Sequence, residues 1–284
     1  MTSMRVRAAL VAPPLGILVL QQLLWPVSLG TFVSGLILGG LGALIALGMA
    51  LVYRANHVVS FAQADLGALP ATAAIVVMEV WGFTYWMSLV GGLLVAMLVG
   101  AVVELLFIRR FFAAPRLIVT VATIGVGQLL AFGSLMFPSI WGLTPTFRTF
   151  DPPFDLSFTI GQVVFDANDV IAAVVAPVVV IALTVFLRST DTGVAIRAAA
   201  ESPDRAALLG VPVRRLQTFV WMGAAGMAFL AVFLQAGVSN LPPGGLFTFE
   251  LLLQSLAAMV LGRMRHLGTI AASAVATAAR TASI

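Results

Sequence analysis

Few side chains in this sequence could carry out covalent chemistry. All 15 basic residues are arginine, so no lysine is present for a phosphate-binding P-loop or a Schiff base. The chain has no cysteine either, which excludes disulfides, thiolate nucleophiles and cysteine-ligated zinc. The two histidines, His57 and His266, lie too far apart in sequence to form a local pair of metal ligands. We therefore expect no catalytic residue, no metal site and no cofactor.

Asp65 is the carboxylate with the strongest claim to a functional role, because it lies early in an apolar stretch. Gln63 precedes it, and Gly67 and Pro70 follow it. A charge within an apolar span is costly and therefore a functional candidate. Gly and Pro can interrupt a helix and free backbone groups to line a cavity. Asp65, Gln63 and Gly67 are thus candidate pathway or gating residues; the structural alternative is that Asp65 pairs with Arg54 or caps a re-entrant segment.

Glu104 is a second carboxylate within an apolar stretch. It lies about one helical turn from Arg109 and Arg110. This spacing favours a local salt bridge over contact with a transported molecule.

The elements that position these residues are membrane spans. Of the 284 residues, 61% are apolar and 9% are charged, whereas soluble domains carry about 25% charged residues. The composition predicts an all-α polytopic membrane protein with a single transmembrane domain over residues 1–284. About eight spans are predicted, at residues 8–25, 32–53, 60–80, 85–108, 117–139, 168–187, 217–239 and 246–262. We expect the first to be an uncleaved span rather than a signal peptide, because Pro13-Pro14 interrupts it.

The arginines predict the orientation, because cytoplasmic loops are enriched in basic residues. With the N-terminus in the cytoplasm, Arg148 lies outside and Arg280 is unplaced. All the other arginines fall inside: Arg5, Arg7, Arg54, Arg109, Arg110, Arg116, Arg188, Arg197, Arg205, Arg214, Arg215, Arg263 and Arg265. The net charge of +4 thus reflects membrane topology rather than a nucleic-acid partner.

The longest cytoplasmic loop, residues 188–216, contains the signals of a short helix. Ser202 suits the N-cap and Pro203 suits the first helical position. Asp204 would favour the helix dipole, and Gly210 is placed to end the helix.

Two interpretations of this loop remain open on physical grounds. It is either a basic loop lying on anionic lipid or a docking helix for a cytoplasmic partner. A compact helix with the small residues Ala206 and Ala207 would suit insertion into a groove.

Several stretches resemble one family of transporters. The loop pattern of Gly193, Arg197 and Ala198, then Ala206, Gly210 and Arg214, resembles the cytoplasmic loop of ATP-binding cassette importer permeases. More narrowly, it is similar to the branched-chain amino acid permease family of the leucine/isoleucine/valine type. Further similar stretches follow in the family's order: ALIALGMALVY at 43–53, Phe61-Ala62 with Asp65, Glu104 with Arg109, Thr123-Ile124-Gly125, and Val260-Leu261-Gly262.

The resemblance implies a permease subunit in the bacterial inner membrane, surrounded by membrane lipid. Its implied partners are two cytoplasmic ATPase subunits, a second related permease and a periplasmic or lipid-anchored substrate-binding protein. Branched-chain amino acids are the first expected cargo, and urea or short amides are the alternative. The residues implied in coupling to the ATPases are Gly193, Arg197, Ala198, Glu201, Asp204, Ala206, Gly210 and Arg214.

The sequence departs from the family pattern at three places. Gln63-Ala64 stands where the family often has His-Gly or Gln-Gly. Arg263 and Arg265 replace glycines of the family's V-L-G-G-x-G-S element. The last helix is reduced to a short apolar stretch, so we expect the C-terminal segment, residues 267–284, to be short or truncated.

Two other classes of function are weighed against the importer. A stand-alone secondary transporter or channel would need an ion site in the membrane, for which Asp65 is the candidate. An intramembrane enzyme would need converging catalytic groups, and the predicted spans contain no histidine, cysteine or lysine.

Overall fold

The computed structural model of the chain describes residues 28–111, 114–143, 152–161, 163–239 and 246–261. Most of these residues are helical. The helices are α1 (Leu29–Asn56), α2 (Asp65–Trp81), α3 (Tyr85–Leu106), α4 (Arg116–Ile140), α5 (Ala167–Ser189), α6 (Asp191–Glu201), α7 (Pro203–Leu208), α8 (Val213–Ser239) and α9 (Leu246–Leu261). A 3-10 turn (Ile108–Phe111) follows α3, and two strands, β1 (Ser157–Ile160) and β2 (Val163–Asp166), precede α5.

Five helices of the described part are long and apolar enough to cross a membrane: α1, α3 with its 3-10 extension, α4, α5 and α8. The predicted spans at 60–80 and 246–262 appear as the shorter helices α2 and α9. At 1.5 Å per residue, α2 is about 25 Å long and does not traverse the hydrocarbon core alone. The predicted span at 8–25 and the C-terminal segment at 267–284 lie outside the described residues. The prediction of an all-α polytopic membrane protein is confirmed.

Helices α1 and α8 form the centre of the bundle. Both are largely buried, and α8 contributes the fully buried Trp221, Phe229 and Phe233. Helices α3, α4 and α5 instead expose most of their apolar surface. An apolar surface of this kind suits contact with lipid tails or with a further apolar helix.

Small residues allow α8 to approach its neighbours closely. Gly67 of α2 lies against the backbone of α8, where an added Cβ would stand 2.6 Å from the Phe229 nitrogen. Gly100 of α3 also lies against α8, and an added Cβ there would stand 2.7 Å from the Ala225 Cβ. Membrane helices pack through such small residues, because van der Waals contact replaces the hydrophobic effect between them.

A short β-hairpin, which the sequence analysis did not predict, lies before α5. The strands are antiparallel, with Ser157 opposite Asp166. The hairpin packs on the start of α1, where the backbone of Gly30 faces Val163. Asp166 then caps α5: its Oδ1 accepts from the backbone nitrogens of Asn168 (2.8 Å) and Asp169 (3.1 Å). The hairpin therefore joins the first residues of α1 to the first residues of α5.

Candidate functional site

Helix α6 folds back tightly against the end of α5. The Thr190 side chain caps it, with Oγ1 accepting from the Gly193 nitrogen at 3.0 Å. Gly193 is buried against the last turn of α5, and a Cβ there would lie 2.6 Å from the Leu187 Cα. Only glycine allows this approach. Packing within the chain therefore explains why residue 193 is a glycine, without reference to any partner.

The predicted short helix of the loop is present as α7. Ser202 occupies the N-cap position and a proline stands in the first turn, although the Ser202 side chain makes no capping hydrogen bond. The helix ends where expected, because Gly210 adopts a φ of +81° just beyond it. The side chain of Asp204 lies outside the described part of the chain.

The apolar surface of α7 differs from the predicted one. Of the two small residues singled out from the sequence, Ala206 is 3% exposed and packs inward, whereas Ala207 is exposed. Leu208 and Leu209 are instead 89% and 84% exposed. The positive φ of Gly210 turns the chain into α8 and leaves both leucines at the tip of the loop. Sequence patterning missed them because leucines at the end of a six-residue helix have no periodicity to reveal which side they face.

Most of the other predicted coupling residues lie on the same exposed loop. We call this surface the α6–α7 surface; it consists of Arg197, Ala198, Glu201, Leu208, Leu209 and Arg214, all exposed. It lies at the end of the bundle where the described arginines gather: Arg54 ends α1, Arg109 follows α3, Arg116 begins α4 and Arg188 ends α5. Alternating helix directions bring these termini together, as the positive-inside pattern predicts.

The segment before α2 re-enters the bundle. After α1 ends, residues 60–64 turn back among the helices, with Ser60 and Gln63 fully buried. Gln63 Nε2 donates to the Ala224 carbonyl of α8 at 2.9 Å. The Phe61 nitrogen donates to Thr123 Oγ1 of α4 at 3.1 Å. These bonds satisfy backbone and side-chain groups that a non-helical segment would otherwise leave unpaired in an apolar environment.

Asp65 directly follows this re-entrant segment and is the first residue of α2. The Thr248 hydroxyl of α9 hydrogen bonds to its carboxylate. Its Oδ2 faces Gly127 of α4, where an added Cβ would lie 3.2 Å away. Among the described residues, neither Asp65 Oδ1 nor Gln63 Oε1 has a hydrogen-bond partner, and both oxygens are buried. A carboxylate in the first turn is favoured by the helix dipole, so this geometry matches the structural alternative of a cap on a re-entrant segment.

Gly67 and Pro70 do not interrupt the helix that follows Asp65. Helix α2 is continuous from Asp65 to Trp81, with Pro70 inside it. Pro70 lacks an N–H and so leaves only one helical bond unmade. Gly67 serves close packing on α8 rather than a kink.

The predicted salt bridge of Glu104 is confirmed. Glu104 is 2% exposed and pairs with Arg109, with Nε–Oε1 at 3.1 Å and Nη2–Oε2 at 3.0 Å. Thr218 of α8 completes the cluster by donating to Glu104 Oε2 at 2.8 Å. Sequence reasoning missed Thr218 because it is 114 residues away. The cluster ties the end of α3 to the start of α8.

The two partners of this ion pair differ in burial, so replacing one or the other should lower the free energy of unfolding by different amounts. We expect Arg109→Met to destabilise the fold by about 3–5 kcal/mol, because it leaves the buried Glu104 unpaired. Glu104→Gln should cost about 1–2 kcal/mol, since Arg109 is 37% exposed and can reach water. Denaturant unfolding of the purified protein measures both. Arg110→Met, an exposed neighbour, is the control; equal effects of the two Arg variants would contradict the assignment.

Within the described ranges, no group of three or more His, Asp or Glu residues could hold a metal ion.

Comparisons with known proteins place these features in a family. The family model described as "Branched-chain amino acid transport system / permease component" matches residues 31–284. The probable branched-chain amino acid transport permease protein LivH of Methanocaldococcus jannaschii is 25% identical over 241 residues, covering 82% of this chain and 74% of that protein. The high-affinity branched-chain amino acid transport system permease protein LivH of Escherichia coli is 27% identical over 213 residues, 70% and 67% of the two chains.

A relative that is named for a different cargo also matches. The fructose import permease protein FruG of Bifidobacterium longum is 31% identical over 180 residues, 59% of this chain and 49% of that protein. No solved structure matches the fold at a significant level. The family model spans the helical bundle from α1 onward, including the loop that carries α6 and α7. The chain therefore belongs to the family of permease components of branched-chain amino acid transport systems.

Proposed function

We propose that this protein is the permease subunit of an ATP-binding cassette importer for branched-chain amino acids, built as a single transmembrane domain. Its α6–α7 surface faces the cytoplasm and docks two ATPase subunits, with Arg197, Glu201 and Arg214 among the docking residues. A second related permease completes the channel, and a substrate-binding protein delivers the cargo from the other side. The arginine-rich end lies in the cytoplasm, with the N-terminus on the same side.

One observation carries this proposal: the exposed leucine pair at the tip of α7. Leu208 and Leu209 lie in a loop between two long apolar helices, at the arginine-rich end. Exposed adjacent leucines on a structured tip suit insertion into a hydrophobic groove of a partner.

The packing suggests how movement of this tip would reach the cargo pathway. Helix α7 is joined through Gly210 to α8, and α8 is the central helix, in contact with α1, α2 and α3. The Glu104–Arg109–Thr218 cluster couples the start of α8 to α3. A displacement of α7 on closure of the ATPases would thus act on α8 and α3 together. The pathway would open alternately to the two sides.

The cargo is proposed from the relatives. LivH proteins are named for branched-chain amino acids, and they cover most of the chain. FruG is named for fructose, so a sugar is a second candidate, alongside urea or short amides. Gln63 Oε1 and Asp65 Oδ1 are buried and have no hydrogen-bond partner among the described residues. We propose Gln63 and Asp65 as pathway residues whose oxygens accept from a cargo ammonium or amide group.

Affinity purification of the tagged chain from native membranes in mild detergent tests the proposal. We expect two ATPase subunits and a second permease to co-purify. Uptake of labelled leucine by the reconstituted complex should then require ATP, with urea and fructose as competing cargoes. Recovery of the chain alone, with uptake driven by an ion gradient and lost in Asp65→Asn, would instead establish a stand-alone secondary transporter.

A further inference from the structure

Gln128 is an exposed amide at the centre of a membrane span. It is the central residue of α4, which runs from Arg116 to Ile140 and is long and apolar enough to cross the membrane. At 1.5 Å per residue, about 18 Å of helix lies on either side of it, farther than a glutamine side chain reaches. In the described part of the chain, its side chain is exposed and makes no hydrogen bond. Hydrocarbon has no hydrogen-bonding groups, so lipid cannot satisfy this amide.

The residues around Gln128 form a seam at the spacing by which parallel helices pack. The α4 seam, as we call this surface, repeats every three or four residues and consists of Val121, Gly125, Gln128, Phe132 and Leu135, all exposed. The opposite side of the helix, which includes Gly127, is instead buried against the start of α2. A 3.5-residue repeat keeps one side of a helix facing a partner helix. Gly125 leaves room for a neighbouring backbone beside the amide, as any small residue would.

A glutamine amide is electrostatically complementary to itself. Its oxygen accepts and its NH₂ group donates, so two glutamines that face each other satisfy both amides. Two copies of the chain inserted with the same orientation have parallel α4 helices, and a two-fold axis along the membrane normal places Gln128 of each copy at the same depth. A single polar residue in an apolar seam also fixes the register of the two helices.

We propose that α4 of one copy of this chain packs against α4 of a second copy, with the two Gln128 amides hydrogen bonded to each other at the centre of the membrane. This deepens the proposed function, because it names the second permease subunit as another copy of the chain. It rests on that function only for what the pair does, since the α4 contact needs no ATPase.

Cysteine crosslinking in native membranes tests the contact. The chain has no native cysteine, so Phe132→Cys places a single thiol in the seam. Two co-expressed copies of this variant carry different tags, and oxidation should link them into one product that contains both tags. Val178→Cys is the matched control, because Val178 is the exposed central residue of α5. Its yield of linked product should be at least about tenfold lower, since a disulfide needs Cα atoms within about 7 Å.

Substitution of Gln128 tests the amide itself. The dimer fraction of the purified full chain is measured across protein-to-detergent ratios. Gln128→Leu removes the hydrogen bonds but not the apolar packing, so association should weaken about fivefold. Gln128→Asn keeps an amide at the same position and should stay within about twofold of wild type.

Four outcomes would overturn the proposal. Equal linking through Phe132→Cys and Val178→Cys would indicate random collision. Association of Gln128→Leu at the wild-type level would exclude the amide pair. Linkage to a different permease in place of the second tagged copy would exclude the partner. Absence of the linked product, with Phe132→Cys open to a water-soluble thiol reagent, would show that the seam lines a water-filled pathway. Failure of the proposed function would appear separately, as ATPases missing from the co-purification while the crosslink remains.

Discussion

Replacing Leu208 and Leu209 together by aspartate is expected to abolish co-purification of the ATPases and ATP-driven uptake. Both side chains are more than four-fifths exposed, so the substitution costs the permease fold little. In a docked complex they would instead lie in an apolar groove, where two carboxylates are strongly unfavourable. Buried interface anchors are worth about 2 kcal/mol or more each, so binding should weaken by at least about a hundredfold.

The measurement is the yield of ATPase subunits recovered with the tagged variant, normalised to the permease. Leu156→Asp with Phe158→Asp is the matched control, since these apolar side chains are 43% and 41% exposed at the opposite end of the bundle. Because the chain has no native cysteine, Leu209→Cys also provides a unique labelling site. Its modification by an impermeant thiol reagent should occur only from the cytoplasmic side and be blocked by bound ATPase.

A normal yield of ATPases with the Leu208/Leu209 variant would contradict the docking role of α7. A second outcome would make the leucines lipid anchors. In that case the variant would retain the ATPases, and the thiol reagent would fail to modify Leu209→Cys in vesicles that contain the permease alone. That result would return the loop to the simpler interpretation of a basic segment lying on anionic lipid.

The second large effect is expected at Gly67. Substitution by alanine places a methyl group 2.6 Å from the Phe229 backbone nitrogen, and a backbone atom cannot rotate away. Helices α2 and α8 would have to separate, so Gly67→Ala should destabilise the protein by about 3 kcal/mol or more. The readouts are the yield of monodisperse protein and its thermal midpoint.

Gly125→Ala is the control for this substitution. Gly125 also lies inside a helix, but no described atom outside its own stretch of helix stands within 4 Å of an added Cβ. There, alanine should be neutral or stabilising by about 0.5–1 kcal/mol, because it restricts the unfolded chain more than glycine does. A Gly67→Ala variant that folds normally but does not transport would show that Gly67 has the gating role considered from the sequence.

The end positions of the short loop helix could be predicted, because local chemistry determines them. Pro203 suits a first turn, and Gly210 supplies the left-handed backbone conformation that ends the helix. The inward position of Ala206 could not be predicted, because a six-residue helix is shorter than two turns and has no resolvable periodicity. The β-hairpin before α5 was missed for a related reason: its four-residue strands are too short to produce a clear alternation.

The buried polar contacts lay beyond sequence reasoning, apart from the local Glu104–Arg109 pair. Gln63 bonds to a carbonyl 161 residues away, and Phe61 to a hydroxyl 62 residues away. Such partners depend on which helices become neighbours. The tight contact of Gly67 with α8 was likewise not visible locally.

By itself, the sequence determined the membrane class, the arginine-rich end and the family. Each depends on composition, on charge placement or on ordered motifs, which are properties of the chain alone. The tertiary structure alone decided that α1 and α8 are largely buried while α3, α4 and α5 expose most of their apolar surface in the described part of the chain. The physical reason is that lipid and protein interior are equally apolar, so hydropathy cannot distinguish a helix that faces one from a helix buried in the other.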